Sequence, residues 1–457
     1  MDDLLTTLTL TGAVTLIHEG ALSPVDLVEA CLDRIEQLNP RLNAFLYVAA
    51  DQARREAHQA ADALARGEDW GVLHGIPLGV KDLIDVEGMP TTAGSSFLRG
   101  HVAAEDAEVI THLKAAGAIL IGKTHLHEFA IGATNVNPHY GPARNPWNPD
   151  LSPGGSSGGS GAALAADMCL GALGTDTGGS VRVPAALCGI TGLRPAVGMI
   201  STRGVFPMSA TLDTVGPMAR AASDLALMLD VMTHRPEAHF GRSLAEPIKG
   251  LRVGIPADDF FWSETVLDVV GPVRAAADTL ADLGLEIVEV RLPGVEDTIF
   301  AAGVIGLVDA ALVHRERLAE HPEGYGADVR ARLELALARP AVDYAQAMAV
   351  MRAWQPTIRR VLREQADVLL TPTTPVVEHP IAGSEGVSAA KELLRFTYPF
   401  SLSMLPSLSM PCGFTPEGLP VGAQLIGMNP ETLLRVVHAF QGVTDWHTRR
   451  PDLARQL

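Results

Sequence analysis

The chain has 457 residues, of which 47% are hydrophobic, and a formal net charge of -18 at pH 7 from 53 acidic and 35 basic residues. This length and apolar content can bury a large core, which excludes an intrinsically disordered chain. Nonspecific binding to phosphate backbones or anionic lipid depends on basic patches, so the acidic balance disfavours both partners. No Pro/Ser-rich tract or charge block indicates a linker, and we expect one large unit.

The cysteines and the start of the chain indicate a cellular compartment. Cys31, Cys169, Cys188 and Cys412 lie far apart without a CxxC pair, which predicts reduced thiols rather than a disulfide framework or a zinc site. The first residues are acidic where a signal peptide would be basic, and no run of about 18 apolar residues is present to cross a bilayer. We therefore expect a cytoplasmic protein that does not bind a membrane.

Residues 1–66 are predicted to form a helical N-terminal segment that packs on the core. Ser23 and Pro24 form a typical helix start, with the serine as cap and the proline in the first helical position. Apolar residues then recur on one helical face, and a second, alanine-rich helix is predicted over 49–65, before Gly67.

Beyond residue 67 the sequence changes to short apolar runs punctuated by glycine. Eight runs predict strands, at 76–80, 118–121, 170–174, 251–255, 286–290, 368–370, 407–410 and 421–426. Helix-length segments such as 106–116 and 264–283 separate several of them. Strands alternating with helices indicate an α/β layered fold around a mostly parallel or mixed sheet. Residues from about 256 to 395 are richer in charge and helical pattern, and we interpret them as a lid or specificity region.

Two glycine-dense stretches around serines carry the strongest chemical signal. They are SPGGSSGGSG at 152–161 and GTDTGGSVR at 174–182. The first could be a flexible linker, but a small, apolar segment follows at 162–173 and suits a buried helix. Glycine-rich loops let backbone N–H groups converge on a developing oxyanion. We predict such a hole from Thr177, Gly178, Gly179 and the amide of Ser180 itself, beside the Ser180 hydroxyl.

A serine hydroxyl needs a base, and Lys81 is the candidate. None of the 15 histidines stands in a recognisable triad context, whereas Lys81 ends an apolar strand in GIPLGVKDLI at 75–84. Burial disfavours the charged form of a lysine and lowers its pKa into the range of a general base. The alternative is that Lys81 forms an ordinary salt bridge with Asp82.

These motifs resemble the amidase signature family, over about residues 20 to 440. The matching blocks are GVKD at 79–82, GKT at 122–124, EFA at 128–130, GPARNPW at 141–147, PGGSSGGS at 153–160, TDTGGSVR at 175–182, GITGLRP at 189–195, LDTVGP at 212–217, DVLLTP at 367–372 and GLPVGAQLIG at 418–427. The resemblance implies an α/β/α sandwich around a mixed β-sheet, with a catalytic domain over 67–457. It thins between residues 240 and 399, which weakens inference about the substrate.

The resemblance also implies the site residues. Lys81, Ser156 and Ser180 match the family's catalytic lysine, cis-serine and nucleophile. Ala130, Ile131 and Gly132 match the loop that borders the scissile group, which Ser156 would also contact, and Ser157, Asp176 and Arg182 match supporting positions.

The implied reaction is amide hydrolysis through an ester on Ser180. Lys81 would accept the proton through Ser156, which would then protonate the departing amine. This mechanism needs no metal and no organic cofactor.

Two further patterns compete with this interpretation. GAILIGKT at 117–124 fits the P-loop of a nucleotide-binding protein, but its intervening residues read as a strand rather than a phosphate-binding loop. His125, His127 and Glu128 could form a metal cluster, but the two histidines would point to opposite faces of an extended segment, and no further ligand is indicated.

The leading prediction is a hydrolase of small amides, anilides or related carbamates, working without nucleic acid and with a homodimer left open. The runner-up is the A subunit of a tRNA-dependent amidotransferase, which supplies ammonia to a misacylated tRNA within a complex. We disfavour it because the paired-tyrosine segment of that group is not evident after residue 300, where Tyr325 and Tyr344 stand in a different setting. A noncatalytic binding protein is the alternative outside enzymes, and the three intact triad positions disfavour it.

Overall fold

A computed structural model describes residues 7–233, 239–384 and 386–453. One mixed sheet of 11 strands runs through the described molecule, with helices on both sides, so the predicted α/β/α sandwich is confirmed. The strands are β1 (Phe45–Val48), β2 (Pro77–Lys81), β3 (Ile119–Thr124), β4 (Gly171–Asp176), β5 (Thr191–Arg194), β6 (Thr214–Ala219), β7 (Arg252–Pro256), β8 (Glu286–Val290), β9 (Val368–Pro372), β10 (Ser407–Phe414) and β11 (Pro420–Gly427).

Fifteen α-helices accompany the sheet in the described residues. They are α1 (Leu10–His18), α2 (Pro24–Leu42), α3 (Ala50–Ala65), α4 (Glu108–Ala115), α5 (Gly158–Ala165), α6 (Arg182–Cys188), α7 (Ala222–Met232), α8 (His239–Ser243), α9 (Leu267–Asp282), α10 (Asp297–Glu320), α11 (Ala327–Leu337), α12 (Ala341–Glu364), α13 (Gly386–Leu393), α14 (Tyr398–Leu402) and α15 (Pro430–Val443).

The sheet order explains where polar side chains can meet. The strands lie in the order β1-β3-β2-β4-β6-β5-β10-β11-β9-β7-β8. β2 runs parallel to both β3 and β4, and all three are buried along their whole length. The carboxyl ends of neighbouring parallel strands lie at one edge of a sheet, which is the usual place for a site in an α/β protein. Lys81, Thr124 and Asp176 therefore end on the same edge.

Two groups of helices enclose the central strands. α5 and α6 pack on each other, with α5 against β2, β3 and β4 and α6 against β5, β10 and β11. α7, α9 and α15 form a second group, which covers β5, β6, β9, β10 and β11. The central strands are thus shielded on both faces, which accounts for their continuous apolar and glycine sequences.

The N-terminal segment contains the predicted helices and one strand that the sequence analysis missed. α2 starts as predicted, with Pro24 in its first turn and the Ser23 hydroxyl accepting the Val25 N–H at 3.1 Å. Between α2 and α3, β1 pairs antiparallel with β3 and forms one edge of the sheet. β1 is only four residues long, which is too short for an alternation of apolar and polar residues to show in the sequence.

All eight predicted strands are present, and two more were missed inside the motif blocks. β5 and β6 contain glycine, and β6 also contains Pro217, which sequence rules count against a strand. The helix predicted over 162–173 is displaced: α5 starts within the glycines at Gly158 and ends at Ala165. Asp167, with a φ of 57°, then turns the chain towards β4.

The region predicted as a lid or specificity region contributes α10, α11 and α12, and both α11 and α12 pack on α10. α10 is long and apolar enough to span a bilayer, with a mean hydropathy of 1.5 over 18 residues, half of them buried. Core helices of soluble proteins pass the same test. Asp309, within this helix, accepts hydrogen bonds from the Ser209 hydroxyl at 2.6 Å and from the Tyr344 hydroxyl at 3.1 Å. The domain boundaries drawn from the sequence stay predictions.

The pairing of β1 with β3 depends on Gly122. A Cβ at this position would lie 2.3 Å from the Tyr47 carbonyl oxygen, so Gly122→Ala must push the edge strand away. We expect the free energy of unfolding to fall by about 1–3 kcal/mol, the usual cost of overpacking a tight site. Urea unfolding measures the loss, and limited proteolysis should show earlier cleavage within residues 1–66. Gly100→Ala, at an exposed glycine with open space around it, is the matched control; equal stability of the two variants would contradict the prediction.

Candidate active site

Lys81 and Ser156 are in direct contact at the carboxyl edge of the sheet. The Lys81 Nζ lies 2.8 Å from the Ser156 Oγ and 2.8 Å from the Thr175 Oγ1. Thr175 belongs to β4, the parallel neighbour of β2, so strand register brings it to the lysine. The peptide bond between Gly155 and Ser156 is cis, as the resemblance implied.

Lys81 is buried without a counterion. Its side chain is fully inaccessible, and among the ion pairs of the described residues it has none. The alternative of a salt bridge with Asp82 is wrong, because Asp82 lies 3.2 Å from the ammonium of Lys123. Burial lowers the pKa of Lys81 to about 7, against the smaller, opposite effect of Asp176 and Asp213. A large fraction of this lysine is therefore a neutral amine at neutral pH.

Ser180 lies on the loop after β4, next to the glycine-rich loop that carries Ser156. The Ser157 N–H donates to the Ser180 carbonyl oxygen at 3.2 Å, so the two glycine-rich loops are directly joined. Ser157 also bonds through its hydroxyl to the carbonyl of Thr175 at 3.2 Å. Within the described part of the chain, the N–H groups of Gly178, Gly179 and Ser180 donate no hydrogen bond. Three free donors beside a serine can stabilise an oxyanion.

Gly178 and Gly179 are required by the close packing of α14 on this loop. A Cβ on Gly178 would lie 2.4 Å from the Tyr398 ring, and one on Gly179 would lie 2.3 Å from the Thr397 Oγ1. Gly179 also has a φ of 149°, which side chains rarely allow. The Thr397 hydroxyl donates to the Gly178 carbonyl at 2.6 Å. The chain next to Ser180 is therefore backbone without side chains, packed closely against α14 and Thr397.

The buried carboxylate of Asp176 lies between two arginines and fixes the loop of Ser180. Asp176 accepts from Arg182 at 3.0 Å through both oxygens and lies 3.2 Å from Arg194. Burial opposes its charge, but the two arginines outweigh that effect and lower the pKa of Asp176 to about 2. Arg182 continues to Gln424 at 2.6 Å and to Ser401 at 2.7 Å. The predicted supporting residues thus tie the Ser180 loop to β11 and α14.

Asp213 also fixes the loop of Ser180 through hydrogen bonds. Its carboxylate accepts from the Thr177 hydroxyl at 2.6 Å and from the backbone N–H groups of Met208 and Ser209 at 2.8 and 2.9 Å. Thr177 and Met208 are therefore fixed to a common anchor.

A cavity of about 30 Å³ opens beside Ser180. Part of its lining comes from the predicted loops: Ala130, Ile131, Gly132, Thr177, Gly178 and Ser180. Ser156 and Gly179 do not line the cavity. Ser156 contacts Lys81, and Gly179 packs closely against Thr397. The structure brings the predicted residues together, and their catalytic roles stay predictions.

The rest of the lining comes from parts of the chain that the sequence analysis did not assign to the site. These residues are Met208, Leu212, Ala302, Gly303, Gly306, Leu307, Arg332, Leu394 and Tyr398. Among the described lining residues Arg332 is the only charged one, and it is 7% exposed. Its Nε has no hydrogen-bond partner. The cavity is thus mostly apolar with one buried cation.

The two competing patterns have structural explanations. Residues 119–124 of the P-loop pattern form the buried strand β3, and Lys123 is bonded to Asp82 and to the Thr91 hydroxyl, so the nucleotide-binding interpretation is wrong. The His125 ring bonds to Asn135 and Gly141, and His127 lies 3.1 Å from Asp328. Glu128 accepts from three protein donors. Among the described residues no group of three or more His, Cys, Asp or Glu is placed to hold a metal ion.

Comparison with known proteins decides the family. The family model described as Amidase matches residues 26–431 of this chain. The chain belongs to the amidase family.

Relatives of this amidase-family chain have more than one activity. It is 41% identical to the A subunit of the glutamyl-tRNA(Gln) amidotransferase of Roseiflexus sp. (strain RS-1), over 98% of this chain and 99% of the relative. A solved structure described as an amidase superposes with a TM-score of 0.87 at 33% identity, covering 95% of this chain and 99% of the other. The complex of 6-aminohexanoate cyclic dimer hydrolase with its substrate gives 0.88 at 28% identity, with coverage of 98% and 99%.

Several residues of the amidase site escaped sequence reasoning. Thr175 and Asp213 stand inside blocks matched to the family; Thr175 directly follows the strand predicted over 170–174, whereas Asp213 precedes β6, which the sequence does not predict. Gly303, Arg332 and Tyr398 come from the region where the resemblance thins, and only packing places them at the cavity.

The buried lysine predicts the pH dependence of this amidase-family chain. In the predicted role of Lys81 as general base, only its neutral form can accept a proton, so kcat/KM should rise with pH, with a midpoint near the pKa of about 7. Asp213 raises the pKa of Lys81, so Asp213→Asn should move the midpoint to lower pH. Asp309→Asn, which removes a carboxylate that does not act on Lys81, is the control. An unchanged midpoint in Asp213→Asn would contradict this electrostatic coupling.

Proposed function

We propose that this protein hydrolyses the C–N bond of a small amide through an acyl ester on Ser180. The observation that carries the proposal is the contact of the buried Lys81 amine, which has no counterion, with the Ser156 hydroxyl, next to the Ser180 loop and its free N–H donors. Burial without a counterion disfavours the charged form of a lysine, so the neutral amine is available as a base. A lysine in a salt bridge would stay charged and could not accept a proton.

The acylation step follows from this geometry. The Ser180 oxygen attacks the carbonyl carbon while its proton passes to the Ser156 oxygen, and the Ser156 proton passes to the lone pair of Lys81. The carbonyl oxygen becomes an oxyanion that accepts from the N–H groups of the 178–180 segment. When the C–N bond breaks, Ser156 protonates the leaving nitrogen and regains its proton from Lys81.

Deacylation uses the same groups. Water gives its proton to Ser156 and attacks the ester carbonyl, and the returned proton restores the Ser180 hydroxyl as the carboxylic acid departs. No residue has to change its position between the two halves of the reaction, which suits a rigid, buried relay.

A second candidate is an amidotransferase component that releases ammonia from glutamine for transfer to tRNA. The amidotransferase relatives, at 41% and 40% identity over nearly the whole chain, favour it over a stand-alone hydrolase. The cavity favours the stand-alone hydrolase of uncharged amides, because glutamine carries an α-ammonium group. Among the described residues lining the cavity, Arg332 could face a carboxylate, but no Asp or Glu is present for the ammonium.

Lys81→Ala should separate a proton relay from a structural support. Amines must be protonated to leave and phenoxides need little help, so hydrolysis of an anilide should fall more than that of a matched aryl ester. We expect the excess loss to be at least about tenfold, or 1.4 kcal/mol of extra barrier. The measurement is kcat/KM for both substrates from about pH 6 to 10.

Two controls accompany this test. Circular dichroism checks folding, and a fluorophosphonate should label Ser180 in the wild type but find no site in Ser180→Ala. Parallel losses for anilide and ester in a folded variant would remove Lys81 from the relay, and an adduct on Ser156 or Ser160 would overturn the nucleophile.

A substrate comparison separates the two candidate functions. The purified chain should hydrolyse isobutyramide with a kcat/KM at least about 100-fold above that for glutamine, a difference of roughly 2.7 kcal/mol that reflects the unpaired ammonium. Ammonia release measures both reactions. The reverse order, or glutamine hydrolysis that appears only with the other amidotransferase components added, would favour the second candidate.

A further inference from the structure

α10 carries two glycines, Gly303 and Gly306, where it forms a wall of the cavity next to Ser180. Glycine inside a helix lowers stability relative to alanine, because it loses more conformational freedom on folding. A glycine in such a place usually has a structural reason, either a left-handed backbone or a close neighbour.

Neither reason applies in α10. The φ angles of Gly303 and Gly306 are not in the left-handed region, and a Cβ on either would have no atom within 4 Å. Gly178, across the cavity, is the opposite case, since a Cβ there would lie 2.4 Å from the Tyr398 ring. The two helix glycines therefore leave space unfilled, and that space belongs to the cavity.

The size of the cavity makes this space important. The cavity is small, about 30 Å³, and a methyl group added on its wall at either glycine would reduce the room for a substrate. The surrounding side chains Met208, Leu212, Leu307 and Leu394 are apolar. An apolar group of a substrate is thus the natural occupant, packed directly on the helix backbone.

The acyl group is the part of the substrate that must stay here. In the proposed function, on which this inference rests, the acyl group remains bonded to Ser180 from the first step to the last. The amine leaves after acylation. Space beside Ser180 therefore has to hold the acyl group through the whole cycle.

We propose that Gly303 and Gly306 determine substrate specificity, by forming a notch that accepts a compact, branched alkyl group next to the scissile carbonyl. The two glycines lower the stability of the helix, but a side chain at either position would fill the notch and exclude this acyl group.

The test compares Gly303→Ala and Gly306→Ala with Gly442→Ala, an exposed glycine of α15 with open space around it. Methanesulfonyl fluoride and its isopropyl counterpart place a small or a branched group on the nucleophilic serine. Intact-protein mass spectrometry gives the rate of each adduct, with the adduct site mapped to Ser180. Thermal unfolding shows whether each alanine is accommodated.

We expect all three variants to keep or raise the unfolding midpoint, by about 1 °C for one helix alanine in a chain of this size. Both α10 variants should react at least about tenfold more slowly with the isopropyl reagent and within about threefold of wild type with the methyl reagent. Gly442→Ala should match wild type with both. Equal slowing with both reagents, or no slowing in either α10 variant, would overturn the proposal.

A failure of the proposed nucleophile would be seen separately, as no adduct on Ser180 of the wild type with either reagent. Binding of an alkyl group in the notch is then tested by the rise in the unfolding midpoint of the protein when isobutyramide is added. Loss of that rise in both α10 variants would support the notch. An equal rise in the variants, or no rise in the wild type, would overturn it.

Discussion

The Asp176 carboxylate between Arg182 and Arg194 is the interaction on which the site depends. All three side chains are fully buried, and charges so far from water persist only when they are paired and hydrogen-bonded. Removal of one partner would leave an uncompensated charge, which is why such a network fixes its surroundings firmly. Through Arg182 it joins the loop of Ser180 to strands and helices from the far end of the chain.

This pairing also explains how Lys81 can lack a partner. The two carboxylates that act on Lys81, Asp176 and Asp213, have their own hydrogen-bond donors, and Asp82 is paired with Lys123. The lysine is left with two hydroxyl groups, which solvate an amine without holding it charged. The site thus separates charges that support the backbone from a neutral group that can exchange protons.

Sequence alone predicted the part of the site that lies in local motifs. Lys81, Ser156 and Ser180 stand in glycine-rich blocks whose chemistry is legible, and eight strands showed as apolar runs. The missing pieces have physical causes. β6 contains a proline that antiparallel pairing tolerates, β1 is too short to show alternation, and α5 starts in glycines that usually break helices. Arg332 and Gly306 reach the cavity only through the packing of α10 and α11, which no spacing in the sequence encodes.

Two walls of the cavity differ in how tightly their backbone is packed. The loops around Ser180 and Ala130 are locked by buried ion pairs and by glycines with no room for a side chain, so almost any substitution there disturbs the backbone. α10 meets the same cavity with open space, where a small side chain can alter the shape of the cavity without touching Lys81 or Ser156. Substitutions in α10 can therefore change the shape of the cavity while the backbone of the loops on the other wall stays in place. A family whose members include an amidotransferase component and a cyclic dimer hydrolase is what such a division of labour would produce.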